Sequence, residues 1–208
     1  MPNKKTIALT TQQYEIIIKT IKEGFIVDGK VFRSNNRVAT ILVLEANLGL
    51  RIGDVLALTL HSIIKDGDRH RLNIIEDKTD KQRAFTVPLD IYNYIKMYCL
   101  ENNIKSNARI FDLSDRAIQK QLKLVCDYLG FENISTHSFR KYFATQIYIN
   151  NNYNIALVRQ LLQHSNTSIT QKYIGISTQE VENALNNNWG VFTLPAEKSN
   201  PNKKVARY

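Results

Sequence analysis

The sequence predicts a mainly helical α+β domain with one small antiparallel β-sheet or hairpin. Apolar residues recur at helical spacing over most of the chain; Tyr14, Ile17 and Ile21, for example, share one face of the segment from Thr10 to Phe25. Near residues 63–88 the pattern changes: two short runs of β-branched and aromatic residues flank a polar turn at 77–83. This change of period is typical of a hairpin.

The other helices follow from the same helical period. The apolar helix 38–48 ends at Gly49, and Ser114 is the expected N-cap of helix 115–129. The remaining predicted helices are 52–60, 90–102, 137–150, 155–163, 167–174 and 178–187.

The composition is that of an ordinary globular protein. The chain has 208 residues, of which 43% are hydrophobic, enough for one domain with a sizeable core. The sequence contains no run of about 18 apolar residues, so no membrane span is predicted. No apolar segment follows Lys4 and Lys5, so no signal peptide is predicted. Cys99 and Cys126 lie in apolar helical patterns, so we expect buried, reduced thiols. These features predict a cytoplasmic protein.

The formal net charge of +9 favours a polyanionic partner such as nucleic acid. Lys4, Lys5 and the segment 197–208 together contribute +5, which leaves +4 for the rest of the chain. Charge alone is therefore weak support for DNA binding. The predicted organisation is a basic N-terminal arm over residues 1–9, one catalytic domain over 10–188 and a tail over 189–208.

Four segments combine residue types that suit phosphate chemistry. Arginine makes bidentate contacts to phosphate oxygens, histidine transfers protons near neutral pH, and a tyrosine hydroxyl is a nucleophile once a base removes its proton. The segments are 49–59 with Arg51 and Asp54, the hairpin turn with Lys78, Lys81 and Arg83, 136–145 with His137 and Arg140, and 161–173 with His164 and Tyr173.

The local positions of these residues fit that chemistry. His137 and Arg140 are three residues apart and share one face at the start of a helix, where backbone N–H groups favour an anion. Each residue also has an ordinary structural role open to it: Arg51 can pair with Asp54, and Tyr173 can be a packing residue. The residue pattern by itself does not bring the four segments together in space.

The first two segments resemble motifs of the tyrosine recombinase family, which includes phage integrases, Xer-type chromosome resolvases and fimbrial inversion recombinases. Gly49-Leu-Arg-Ile-Gly-Asp-Val55 matches the family's first arginine motif. Lys78 occupies the position of the family's hairpin lysine. Arg83-Ala-Phe-Thr-Val-Pro-Leu89 follows it, with one residue more than the family pattern.

The other two segments continue the resemblance in the family's order. His137-Ser-Phe-Arg-Lys-Tyr-Phe-Ala-Thr145 is similar to the family's His-x-x-Arg motif. Leu161-Leu-Gln-His164, followed by Tyr173, is similar to the last motif, with Gln163 in place of the family's glycine. The resemblance extends from Thr10 to Asn187.

This resemblance implies a DNA-cleaving reaction. Arg51 and Arg140 would hold the scissile phosphate and stabilise the charge of the transition state, and Asp54 would support the Arg51 segment. Tyr173 would attack phosphorus, forming a 3′-phosphotyrosyl bond and releasing a 5′-hydroxyl.

The remaining catalytic candidates would move protons or bind the phosphate. By resemblance, Lys78 would protonate the leaving oxygen, His137 would accept the tyrosine proton, and His164 would hydrogen-bond the phosphate. No metal or other cofactor is implied, because the phosphotyrosine bond retains the energy needed for religation.

The implied partner is double-stranded DNA, bound by a homo-oligomer with a tetramer as the expected form. The helix that opens at Ser114 resembles the family's major-groove helix, with Arg116 as the candidate base reader. Lys81 and Arg83 are expected to contact phosphates. The tail is similar to the family's C-terminal segment that docks on a neighbouring subunit; packing on its own domain is the alternative. The candidate DNA contacts are Lys81, Arg83, Arg116, Gln119 and Lys120.

One departure from the family concerns the N-terminus. Family members generally carry a helical domain before the catalytic one, and this sequence has little before Thr10. Either the chain is a naturally short recombinase, like the fimbrial inversion type, or it is part of a longer integrase. A short enzyme would hold DNA on one side only, and for that case we expect modest, strongly salt-dependent DNA affinity. Integration, excision or inversion of a mobile element is the expected activity; a type IB topoisomerase-like enzyme and a catalytically silent DNA-binding regulator are the alternatives.

Overall fold

The structure, a computed structural model, describes residues 6–174. These residues contain eight α-helices, five strands and a short 3-10 helix at Leu60–Ser62. The helices are α1 (Thr11–Glu23), α2 (Asn36–Leu48), α3 (Ile52–Leu56), α4 (Leu89–Glu101), α5 (Asp115–Leu129), α6 (Thr136–Asn150), α7 (Ile155–Leu162) and α8 (Thr167–Gln171). The strands are β1 (Phe25–Val27), β2 (Lys30–Phe32), β3 (Ile63–Asp66), β4 (Arg69–Ile75) and β5 (Gln82–Val87).

The predicted fold class is confirmed. Strands β3, β4 and β5 form an antiparallel sheet in that order, and the hairpin register pairs Leu72 with Phe85 and Ile75 with Gln82. Ser114 caps α5 as expected, since its side chain accepts a hydrogen bond from the Ala117 N–H.

Three segments differ from the prediction. The first helix ends at Glu23 instead of Phe25, and the chain enters a second hairpin, β1–β2, whose turn holds Asp28 and Gly29 at positive φ. An Asp-Gly turn of this kind favours a tight hairpin. The helix predicted over 52–60 stops at Leu56, and the one predicted over 167–174 stops at Gln171.

Helix α2 forms the centre of the core and packs against α6. Gly49 ends α2 in the left-handed conformation, with φ 58°. A β-carbon at Gly49 would lie 2.3 Å from Cδ1 of Phe143 on α6. Glycine therefore allows both the sharp turn and the close helix contact that bring the Arg51 segment beside α6.

The last residues of the predicted arm, residues 6–9, contact the domain. Leu9 is buried, the Ile7 N–H donates to the Asn133 carbonyl, and the Thr6 carbonyl accepts from the Lys141 ammonium. Residues 6–9 therefore pack on the domain through backbone bonds to α6 and to the loop before it, and through the burial of Leu9 in the main core. The predicted helix 178–187 and the tail 189–208 lie outside the described residues.

Two further expectations concern buried thiols and the membrane. Cys99 and Cys126 are buried and unpaired, as predicted, and burial raises the pKa of Cys126 to about 11. No helix in residues 6–174 is long and apolar enough to cross a membrane.

Candidate active site

The turn after α2 places Arg51 against a buried carboxylate. Nη1 of Arg51 donates to Oε2 of Glu76 at 2.5 Å, and Asp54 lies 4.0 Å away, one helical turn along α3. Asp54 in turn accepts from the Asp77 N–H at 3.1 Å. The Arg51 segment and the hairpin are thus joined by two acidic side chains, and Asp54 supports this segment as the sequence suggested.

Arg83 occupies an interior position, which corrects its assignment as a DNA phosphate contact. Its side chain is 1% exposed, and Nη1 donates to Oε1 of Glu76 at 2.9 Å. Its Nη2 donates to the carbonyl of Gly49 at 3.1 Å. Arg83 faces inward because it lies on the same face of β5 as Phe85 and Val87, and its charge is paired with Glu76 inside the domain.

Arg140 lies deep in the site on the second turn of α6. It is fully buried; Nη1 donates to the Gly49 carbonyl at 2.6 Å and Nη2 to the Leu162 carbonyl at 3.2 Å. Its Nε is buried with no hydrogen-bond partner among the described residues. Burial, with the nearby charges of Arg83 and Arg51, lowers the Arg140 pKa to about 10, so the guanidinium remains charged at neutral pH.

His137 projects from the first turn of α6 toward the same place. Burial, with the positive charges of Arg140 and Lys141, lowers its pKa to about 4. The charges of Arg51 and Lys78 act in the same direction. The imidazole is therefore neutral at pH 7 and able to accept a proton.

His164 follows the end of α7 and is fixed by α8. Its Nδ1 lies 3.0 Å from Oγ1 of Thr170. Burial, followed by the charges of Arg140 and Arg51, lowers the His164 pKa to about 4. This histidine is also neutral at pH 7, and the bond to Thr170 leaves its Nε2 edge for another partner.

Tyr173 lies between the two histidines, just after α8. Its ring makes edge contacts with His137, at 4.9 Å between centroids, and with His164, at 4.6 Å. The ammonium of Lys141 lies 5.8 Å from the ring centroid. The tyrosine is half-buried against the small apolar cluster that includes Phe143 and Val158.

Lys78 lies at the exposed turn between β4 and β5. Its positive charge contributes to lowering the His137 pKa. The structure thus brings five predicted catalytic residues into one cluster and holds the sixth on the neighbouring turn. The clustered five are Arg51, His137, Arg140, His164 and Tyr173.

The other DNA-contact candidates lie on the surface. Lys81 is exposed beside a groove of about 690 Å³ that also includes Arg159 and His164. Arg116 and Lys120 are exposed on α5 and line a separate groove of about 730 Å³. Gln119 lines the same groove and bonds Asp115 at 2.9 Å.

Sequence reasoning missed Glu76, although the strand pattern contains a signal for it. Leu72 and Ile74 lie on the inward face of β4, and Glu76 follows at the same spacing of two residues. A carboxylate on this inward face needs a buried partner.

Among the described residues, no group of three or more His, Cys, Asp or Glu side chains is placed to hold a metal ion.

An arginine–histidine–tyrosine cluster on a helical domain is the arrangement that the resemblance to tyrosine recombinases implied. The model of the phage integrase family matches residues 8–180. The chain therefore belongs to the phage integrase family.

Two curated relatives and one solved structure agree with this assignment. The probable integrase/recombinase YoeC of Bacillus subtilis is 29% identical over 154 residues, covering 70% of this chain and 81% of YoeC. Tyrosine recombinase XerC of Caldanaerobacter subterraneus is 31% identical over 197 residues, 88% of this chain and 51% of XerC. The chain thus spans most of YoeC but about half of XerC.

The solved structure is similar in fold. It is the XerH site-specific recombinase bound to palindromic difH substrate in a post-cleavage complex. The TM-score is 0.70 at 20% identity, with 91% of this chain and 55% of that chain covered.

Proposed function

We propose that this chain is a site-specific DNA recombinase that cuts and rejoins DNA through a 3′-phosphotyrosyl bond on Tyr173. The observation that carries the proposal is the position of Tyr173 between two neutral histidines, within electrostatic reach of Arg140, whose charge in turn interacts with that of Arg51. A nucleophile, a proton acceptor and two phosphate-binding cations are the groups that phosphoryl transfer to tyrosine requires.

Arg51 and Arg140 bind the scissile phosphate in this proposal. Each guanidinium is held by acceptors on the protein, Arg51 by Glu76 and Arg140 by two backbone carbonyls. These contacts use only part of each arginine's five N–H donors and fix its plane. Arg51 is one quarter exposed and keeps donors for non-bridging phosphate oxygens. The buried Nε of Arg140 has no partner among the described residues and is the donor proposed for the phosphate.

His137 accepts the proton of the Tyr173 hydroxyl as its oxygen attacks phosphorus. Because the His137 pKa is near 4 before DNA binds, the base is present in its neutral form throughout the physiological range. His164, oriented by Thr170, donates to a phosphate oxygen.

Lys78 protonates the 5′-oxygen as its bond to phosphorus breaks. A 5′-hydroxyl from a second strand then attacks the phosphotyrosine, which restores the phosphodiester and frees Tyr173. The energy of the original phosphodiester is retained in the tyrosyl ester, so the cycle consumes no nucleotide.

The partners proposed for this reaction are double-stranded DNA and further copies of the chain, assembled as a tetramer on two DNA sites in the cytoplasm. Lys81, Arg116, Gln119 and Lys120 are proposed to contact the DNA outside the scissile phosphate, because they are exposed. Integration, excision or inversion of a mobile element is the biological outcome that this chemistry serves.

A strand-transfer assay tests the function. Duplexes that the protein selects from a random pool are nicked near the centre and labelled at the 5′ end of the nicked strand, because the 3′-phosphotyrosyl bond retains that part of the strand. A second duplex supplies a free 5′-hydroxyl. Joining of the labelled strand to the second duplex is the expected result. Relaxation of supercoiled DNA without any joining between duplexes would instead indicate a topoisomerase-like enzyme.

A further inference from the structure

Three consecutive residues at the end of α7 contact three different parts of the site. The Leu162 carbonyl accepts from Arg140 at 3.2 Å. The Gln163 side chain reaches the hairpin, and His164 bonds Thr170 of α8 at 3.0 Å. This short segment is therefore the point at which α6, the hairpin and α8 are tied together.

Gln163 holds an unfavourable backbone conformation at that point. It ends α7 in the left-handed region, with φ 55° and ψ 35°. Glycine is the residue that usually occupies such a helix end, because a β-carbon is strained there. A glutamine in this position needs a contribution from its side chain to offset the strain.

The side chain makes one such contact, with the base of the hairpin. Nε2 of Gln163 donates to the carbonyl of Gln82 at 2.8 Å. Gln82 is the first residue of β5 and pairs with Ile75 at the end of β4. The turn between these two residues, 76–81, carries Lys78. The bond therefore fixes the stem of the Lys78 turn relative to His164.

The side-chain oxygen of Gln163, Oε1, makes no comparable contact. Oε1 of Gln163 is buried and accepts no hydrogen bond from the described residues. An unsatisfied buried acceptor destabilises the fold. Gln163 thus combines a strained backbone with an unpaired buried oxygen. The hydrogen bond from its Nε2 to the Gln82 carbonyl is the favourable contact that its side chain makes.

We propose that Gln163 is a positioning residue that holds the Lys78 turn at the distance from Tyr173 and His164 needed for protonation of the leaving strand. This inference rests on the proposed recombinase function. It assigns Gln163 to one step, departure of the 5′-oxygen, because the contact with Gln82 positions the turn that carries Lys78, the proposed proton donor for that step.

Two variants separate this role from backbone strain. Gln163→Gly removes both the contact and the strain, whereas Gln163→Ala removes the contact and keeps the strain. We expect both to form the phosphotyrosyl adduct roughly tenfold more slowly, the scale for loss of one positioning hydrogen bond. The glycine variant should nevertheless melt at a higher temperature than the alanine variant. A rate loss that follows melting temperature instead would overturn the proposal.

A sulfur-bridged substrate tests which step is affected. When 5′-sulfur replaces the 5′-oxygen, the P–S bond breaks to release a thiolate, which leaves without needing a proton because thiols are far more acidic than alcohols. Both Gln163 variants should recover wild-type rates on this substrate, as should Lys78→Ala. If the Gln163 variants or Lys78→Ala remain slower than the wild type on this substrate, the assignment to departure of the 5′-oxygen is contradicted.

Hydrogen exchange provides a readout that does not depend on catalysis. In the free protein, the backbone amides of residues 76–82 should exchange faster in both Gln163 variants than in the wild type, because the stem of the turn is released. Unchanged exchange would sink the inference. If the exchange changes but the wild-type protein forms no adduct on any bound site, the proposed function fails while the tether stands.

Discussion

Arg51 and Arg83 donate to different oxygens of one buried carboxylate, that of Glu76, at 2.5 Å and 2.9 Å respectively. The arginine proposed to bind phosphate and the arginine inside the hairpin therefore share an anchor. Thr79 donates to the same carboxylate at 2.8 Å, which extends the network into the turn that carries Lys78. The Glu76 side chain therefore joins the Arg51 segment to the hairpin.

Replacing Glu76 with glutamine should damage both segments. The change keeps the side chain's size but leaves Arg51 and Arg83 without their shared negative charge, and breaking a buried ion pair costs about 3 to 5 kcal/mol. We expect urea denaturation to show a loss of this order. Asp77→Asn, a change at a neighbouring exposed carboxylate, is the matched control and should change stability by less than about 0.5 kcal/mol. Equal stabilities for the two variants would show that the shared anchor is not important.

Substitution of Lys81 should affect DNA binding, whereas substitution of Arg83 should affect the stability of the fold. Lys81 is exposed, so Lys81→Ala should weaken DNA binding and reduce the slope of log affinity against log salt by roughly 0.9 if it contacts one phosphate. Arg83→Met should lower stability, because it leaves Glu76 partly unpaired, and should leave the salt slope of the folded protein unchanged. Fluorescence anisotropy titrations at several salt concentrations measure both. A salt slope reduced by Arg83→Met would restore Arg83 as a phosphate contact.

Gly49 and Gly53 offer a matched test of the turn that positions Arg51. At Gly49 the left-handed backbone and a Cδ1 atom of Phe143 2.3 Å from the added β-carbon should make alanine destabilising by roughly 2 to 4 kcal/mol. At Gly53, inside α3, nothing lies within 4 Å of the added carbon. Alanine there should be neutral or stabilising by up to about 1 kcal/mol. Chemical denaturation of the two variants gives the comparison, and similar effects at both positions would contradict it.

Acid should destabilise the free protein through its two site histidines. The folded-state pKa values of His137 and His164 are near 4, below the value of about 6.5 for an unfolded histidine. Between these values the unfolded chain binds protons that the folded chain does not, so stability is full above pH 6.5 and falls as the pH drops toward 4. Each histidine should contribute roughly 1 to 3 kcal/mol to this loss.

His164→Asn isolates one of these contributions. The variant should lose less stability than the wild type between pH 6.5 and pH 4.5 in urea titrations, because it keeps the lowered pKa of His137 but lacks that of His164. Parallel pH profiles for the two proteins would show that His164 titrates normally in the folded state.

Much of the fold could be read from the sequence because periodicity and caps are local properties. The predicted hairpin is present as β4–β5, and the predicted helix 115–129 has the same bounds as α5. The β1–β2 hairpin was missed because Phe25 continues the apolar period of α1, although Asp28-Gly29 marks its turn. The helical period that continues to Phe25 outweighed the Asp28-Gly29 turn in the prediction.

The site was predicted less completely, for a physical reason. Arginine and lysine near a polar turn resemble solvent-exposed cations, so Arg83 was assigned to DNA; its burial depends on Glu76, seven residues earlier, facing the same side of the sheet. Such pairing is a property of strand register and of packing against α2. The bond from Gln163 to Gln82 is equally non-local.

The central claim, that Tyr173 is the nucleophile, is tested most directly by trapping the covalent intermediate. The protein is incubated with a duplex that it binds and that carries a nick next to the cleavage position, so that the short 5′-hydroxyl fragment diffuses away. We predict an SDS-resistant protein–DNA adduct whose linked peptide contains Tyr173, and no adduct from Tyr173→Phe under conditions in which that variant still binds the duplex. An adduct that persists in Tyr173→Phe, or none from wild-type protein on DNA that it binds, would contradict the account.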